Sequence, residues 1–114
     1  MTAYSSARLE NLKKYLSEDP QDSFLRYALA MEFMKLEGLT QAAGIFKELI
    51  ADDPDYLATY YQYGKLLEEN GTTEEAIEIY KLGLKIAEIQ NNIRTVKELR
   101  QAILALTDNE DEME

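Results

Sequence analysis

Four stretches of the chain place apolar side chains three and four residues apart, which marks helices with one buried face. Residues 22–37 carry Leu25, Leu29, Phe33 and Leu36, and residues 40–51 carry Ala42, Ile45, Phe46, Leu49 and Ile50. Residues 56–69 carry Leu57, Tyr60, Tyr63, Gly64 and Leu67, and residues 73–89 carry Ala76, Ile77, Tyr80, Leu84 and Ala87. Two further amphipathic stretches flank them. Residues 5–17 present Leu9, Leu12, Tyr15 and Leu16, and residues 92–106 present Ile93, Val96, Leu99, Ile103 and Leu106. Strand-like alternation is missing from all six, so the pattern predicts an all-α fold of about six helices: 5–17, 22–37, 40–51, 56–69, 73–89 and 92–106.

The pattern also repeats. Asp19-Pro20 and Asp53-Pro54 are the same dipeptide 34 residues apart, and they hold the only two prolines. The same offset aligns Leu12, Phe46 and Tyr80, then Leu16, Ile50 and Leu84, and pairs Tyr27 with Tyr61 and Ala42 with Ala76. A fixed period of this length means stacked supersecondary units that bury their apolar faces only on one another. Punctuation between the stretches agrees. Thr72-Thr73-Glu74-Glu75 reads as a capping box, Asp22 and Asp55 as caps behind the prolines, and Gly38 and Gly71 as helix stops.

With these residues in place, the chain resembles the tetratricopeptide-repeat (TPR) family. Leu29-Ala30, Phe33, Ala42, Phe46 and Pro54 match its pattern in the first unit, and Tyr60, Tyr63-Gly64, Leu67, Ala76 and Tyr80 in the second. Three positions depart from it. Arg26 stands where the family favours Trp, Gly38 lies one residue late, and Glu88 replaces a proline, which lets the fifth helix run on towards Gln90. The resemblance implies a right-handed superhelix of helix-turn-helix hairpins forming one domain over residues 1–107. Its parts are an N-terminal capping helix (5–19), a first unit (20–53), a second unit (54–90) and a C-terminal capping helix (91–107). The acidic tail, 108–114, is expected to be disordered.

The resemblance also implies a concave groove lined by the first helix of each pair. Phe24, Tyr27, Met31, Met34 and Lys35 would line it in the first unit, and Ala58, Tyr61, Gln62, Lys65, Glu68 and Glu69 in the second. The terminal helix would add Asn92, Thr95 and Leu99. Tyrosine suits such a surface because it offers a large ring with a polar tip, and methionine because it adapts to irregular partners. Tyr27 and Tyr61 are therefore the expected anchors, the alternative being that they stack on each other or cover the groove floor. The family's carboxylate clamp of lysine, asparagine and arginine is not expected, since the matching places hold Tyr27, Met31 and Gln62 here, none of them a cation, with Arg94 a lone substitute.

Charge and composition narrow the function further. The 114 residues include no cysteine and no histidine, so disulfides, thiol or imidazole catalysis and Cys/His zinc sites are excluded. The formal net charge of -10 disfavours nucleic acid and anionic membranes as partners, and the tail from Asp108 to Glu114 supplies five of the acids. Asp52-Asp53-Pro54-Asp55 lacks the loop of a calcium site and reads as a capping turn. No signal peptide, membrane span or phosphate-binding loop is seen, so a cytoplasmic location is expected and neither enzyme activity, cofactor nor metal. The expected function is a scaffold or adaptor that takes a peptide or helix of another protein in the groove. The alternative is a self-assembling structural subunit, a weak homodimer or larger array formed through the end helices.

Overall fold

A computed structural model describes residues 5–112, with side chains described as far as Thr107. Among the described residues there are six helices and no strand: α1 Ala7–Glu18, α2 Ser23–Lys35, α3 Leu39–Asp52, α4 Ala58–Glu69, α5 Thr73–Ile89 and α6 Ile93–Glu112. The expected helices are all present, with ends within two residues of those expected except at the C-terminus. There α6 continues to Glu112 instead of stopping at 106, so the stretch expected to be disordered is helical up to that residue; 113 and 114 lie outside the described residues. The chain divides into two compact units, the first closing at Tyr56 and the second opening at Leu57. In the first, α1 packs on α2 and α2 on α3; in the second, α4 packs on α5 and α5 on α6.

The turns explain where each helix stops. Proline disfavours helical backbone in the residue before it. Asp19 (φ -143, ψ 73) and Asp53 (φ -143, ψ 70) therefore leave the helix in nearly the same conformation and end α1 and α3. The other three turns share one motif, a residue in the left-handed region followed by a backbone N–H that donates back to a carbonyl of the last turn. After α2 the left-handed residue is Glu37 (φ 64), and Gly38 N donates to Phe33 O at 2.7 Å. After α4 it is Gly71 (φ 80), with Thr72 N on Leu67 O at 2.9 Å. After α5 it is Asn91 (φ 58), with Asn92 N on Ala87 O at 2.9 Å. Gly38 was the expected stop, but the strained position falls on Glu37, its 34-residue counterpart being Gly71. That is the physical content of a glycine lying one residue late.

Two expected caps are replaced. Asp22 caps α2 by accepting from Leu25 N at 2.8 Å, as expected. Asp55 does not cap α4, which starts from Leu57 in helical conformation with no side-chain cap. Thr72 precedes α5 but forms no capping box; its hydroxyl donates instead to Leu67 O at 3.0 Å and seals the preceding turn. Two caps not foreseen are Ser6, which accepts from Leu9 N at 2.9 Å, and Asn92, which accepts from Thr95 N at 3.0 Å.

Buried side chains follow the repeat. In the first unit the core is Leu9, Leu12, Ala28, Ala30, Ala42, Phe46 and Leu49. In the second it is Tyr60, Tyr63, Leu66, Leu67, Ala76, Tyr80 and Ala87, closed by Leu99 and Ala102 of α6. Small residues set how closely the helices approach. A methyl group on Gly64 would lie 2.1 Å from Cε1 of Tyr80, and one on Gly83 would lie 2.5 Å from Cβ of Tyr60. Neither obstacle is a free side-chain end that could swing aside, so α4 and α5 meet at this distance only with glycine at both places.

Candidate functional site

The eleven expected surface residues fall on α2 in the first unit and on α4 in the second. On α2, Tyr27 is half-buried, with its ring 6.3 Å from that of Phe46 and 5.8 Å from that of Tyr56, both tilted. These separations suit edge-on aromatic packing, which holds the ring in place while its rim stays accessible. Phe24, one turn earlier, is 61% exposed. Met31 and Met34 are half-buried and Lys35 is exposed. The Tyr56 phenol is held above its ordinary pKa, first by burial and then by the charges of Asp22 and Asp53, so it stays neutral beneath Tyr27.

On α4 the arrangement recurs at the same offset. The half-buried Tyr61 ring lies 6.2 Å from that of Tyr80, as Tyr27 lies against Phe46. Lys65 Nζ stands 5.5 Å from the centre of the Tyr61 ring, a cation–π distance, and 3.9 Å from Glu68 Oε2. Glu68 also accepts a short hydrogen bond from the Tyr80 hydroxyl. Burial raises the Tyr80 pKa most, followed by that hydrogen bond, the Glu68 charge and Tyr61, so the phenol remains a donor. Gln62 is half-buried, and Ala58 and Glu69 are exposed. Each face is thus a braced tyrosine amid adaptable or charged neighbours.

Some expected residues have other work. Leu99 is fully buried under the second unit's core, which removes it from any surface, and Asn92 caps α6. Asp52 accepts from Arg26 Nη2 at 3.0 Å, and Asp53 accepts from Ser23 Oγ at 2.6 Å, so both serve the α2–α3 pair. Among the described residues no group of three or more acids is placed to hold a metal ion, and no helix is long and apolar enough to cross a membrane.

Sequence reasoning missed the two buried charges of α2. Arg26, 8% exposed, reaches Asp52 and lies 3.6 Å from Glu48 Oε1. Glu32, 5% exposed, accepts from Ser6 Oγ at 3.0 Å and lies 3.5 Å from Arg8 Nε. Their counterparts 34 residues on are Tyr60 and Leu66, both buried, and that mismatch was the available signal.

Helical hairpins repeated at this interval, with small residues at the crossings and an aromatic from the second helix braced on the first, define a helical-repeat protein. The tetratricopeptide-repeat family model matches residues 33–103, and the chain belongs to that family. It is 40% identical to a tetratricopeptide repeat domain protein from Salinibacter ruber solved by NMR. That match covers 76% of this chain and 88% of the other, with a TM-score of 0.74. A crystal structure of a tetratricopeptide repeat domain protein from the same organism matches at 39% identity over 77% and 98%, with a TM-score of 0.73. A solution structure of a Bordetella parapertussis protein matches at 25% identity over 96% and 95%, with a TM-score of 0.79. No curated protein matches the chain. The fold is in general that of a protein–protein interaction scaffold, and members of the family are generally non-catalytic.

Proposed function

We propose that the chain is a non-catalytic adaptor that holds a peptide or helix of another protein on the α2 and α4 faces. The observation that carries this reading is the recurrence of one device in both units: Tyr27 on Phe46, and Tyr61 on Tyr80. Bracing removes ring freedom before a partner arrives, so less ordering is required on binding. Phe24, Met31 and Met34 extend the first face with apolar, adaptable surface, suited to an apolar anchor. Lys65, Glu68 and Glu69 surround the second with both signs of charge, suited to a polar stretch of a partner.

The test is in-cell photocrosslinking from position 24, comparing the natural chain with Tyr27→Ala/Tyr61→Ala and with Tyr27→Phe/Tyr61→Phe. Loss of an anchor ring of this kind typically weakens binding by ~2 kcal/mol or more, so the alanine pair should lose captured partner and the phenylalanine pair should keep it. Capture that is indifferent to the alanine pair, with helix content intact by circular dichroism, overturns the reading.

A further inference from the structure

The face of α4 carries a feature that its counterpart on α2 lacks. Tyr61, Lys65 and Glu68 follow one another at steps of four and three, so they share one side of the helix. At the repeat offset of 34 residues, the same places on α2 hold Tyr27, Met31 and Met34. The ring beneath changes with them. Phe46 has no hydroxyl, whereas Tyr80 has one and donates it to Glu68. The hydroxyl thus appears in the unit that has the carboxylate, and a carboxylate tied to a phenol is ordered before any partner arrives.

That carboxylate is held but not saturated. Its contacts with the Tyr80 hydroxyl and with Lys65 both fall on Oε2, and among the described residues Oε1 has no contact. The Glu68 side chain is 26% exposed, so a group arriving from solvent can reach it. Lys65 shows which kind of group fits. Its Nζ lies over the Tyr61 ring, 5.5 Å from the centre, and 3.9 Å from Glu68 Oε2, so ring and carboxylate together make a place for a cation. Both distances are near the limit for such contacts, and the Lys65 side chain is 43% exposed. A lysine held that loosely loses little on leaving, because exposed ion pairs contribute little.

We propose that the corner between Tyr61 and Glu68 receives an arginine side chain of the partner, with Lys65 turning out to water. This rests on the adaptor reading and names the chemistry recognised at its second face. Arginine suits the corner better than lysine. Its guanidinium is planar, lies flat on an aromatic ring and still donates N–H groups to a neighbouring carboxylate. It is also more weakly hydrated than an ammonium, so entry strips less water from it. Glu69 and the net charge of -10 draw a base towards this face. The α2 face, with methionine at both places, makes no such corner.

NMR titration of the full chain tests this with short blocked peptides that carry arginine, citrulline or glutamate between leucines. Citrulline keeps the shape of arginine and removes its charge. The arginine peptide should shift the α4 amide signals around Tyr61 and Glu68, and should bind at least about fivefold more tightly than the citrulline peptide. Glu68→Gln, which still accepts from the Tyr80 hydroxyl, should erase that preference. Lys65→Met, which clears the corner of its resident cation, should tighten the arginine peptide by about twofold to fivefold. Tyr27→Ala should leave the preference unchanged. Equal binding of the arginine and citrulline peptides overturns the proposal, as does weaker arginine binding by Lys65→Met or a preference for glutamate. So does the absence of any shift with the arginine peptide up to about 1 mM. Each of these results leaves the adaptor reading intact so long as partner capture still depends on Tyr27 and Tyr61, so the two failures are told apart.

Discussion

The α2–α3 and α4–α5 pairs share a backbone plan but fill it differently. In α4, Tyr60 and Leu66 are buried and apolar; at the same places α2 buries Arg26 and Glu32. Each charge is balanced within its own unit, Arg26 by Asp52 and Glu48 from α3, and Glu32 by Ser6 and Arg8 from the N-terminal side. The second helices differ in the opposite sense. Phe46 is purely apolar where Tyr80 carries a hydroxyl tied to Glu68. The repeat therefore conserves volume and spacing while leaving open whether a position is held by hydrophobic burial or by paired polarity. Buried ion pairs add little net stability, because desolvation offsets their attraction, but they restrict which neighbours fit. Glu32 suits a helix that Ser6 and Arg8 cover from the N-terminal side.

The sharpest test of this difference is removal at the shared position. Tyr60→Ala should destabilise the chain by about 3–5 kcal/mol, the range for deleting a fully buried aromatic. Arg26→Ala should lose only about 1–2 kcal/mol, since Asp52 and Glu48 are exposed enough to return to water. Urea titration of both variants decides; equal losses would mean that Arg26 is as much a core residue as Tyr60.

Tyr80→Phe makes the second pair resemble the first and should lose about 1 kcal/mol with the hydrogen bond to Glu68. It should also change the response to alkali. Folding raises the pKa values of Tyr80, Tyr63 and Tyr56 above the ordinary 10.0, chiefly by burial. Above that value the unfolded chain releases these protons and the folded chain keeps them, so the unfolded state binds fewer and stability falls as pH rises. Below it the contribution is fully present. Thermal melts between pH 8 and 11 should show a steeper alkaline loss for the natural chain than for Tyr80→Phe; parallel slopes would remove Tyr80 from that account.

The smallest effect lies at the turns. Glu37 holds the left-handed conformation that Gly71 holds at the equivalent place, and a side chain there is strained by roughly 1–2 kcal/mol. Glu37→Gly should relieve most of that strain, less the extra freedom of glycine in the unfolded chain, for a net gain of about 0.5–1 kcal/mol. A rise in melting temperature checks it, and Gly71→Ala should move the temperature the other way.

The helices, their order and their 34-residue phase were legible along the chain. Those follow from spacing and from two Asp-Pro steps, both local properties of the chain. The phase also marked Tyr27 and Tyr61 as equivalent, because equivalence in a repeat is a matter of offset. What each side chain does at its place came from packing between helices. Packing braced the two tyrosines on Phe46 and Tyr80, buried Leu99, moved the left-handed residue from Gly38 to Glu37, and gave Thr72 to the preceding turn rather than the following helix. It also let Arg26 and Glu32 lie inside. A charge can be buried only where a partner waits on another helix, and no periodicity along one helix carries that information.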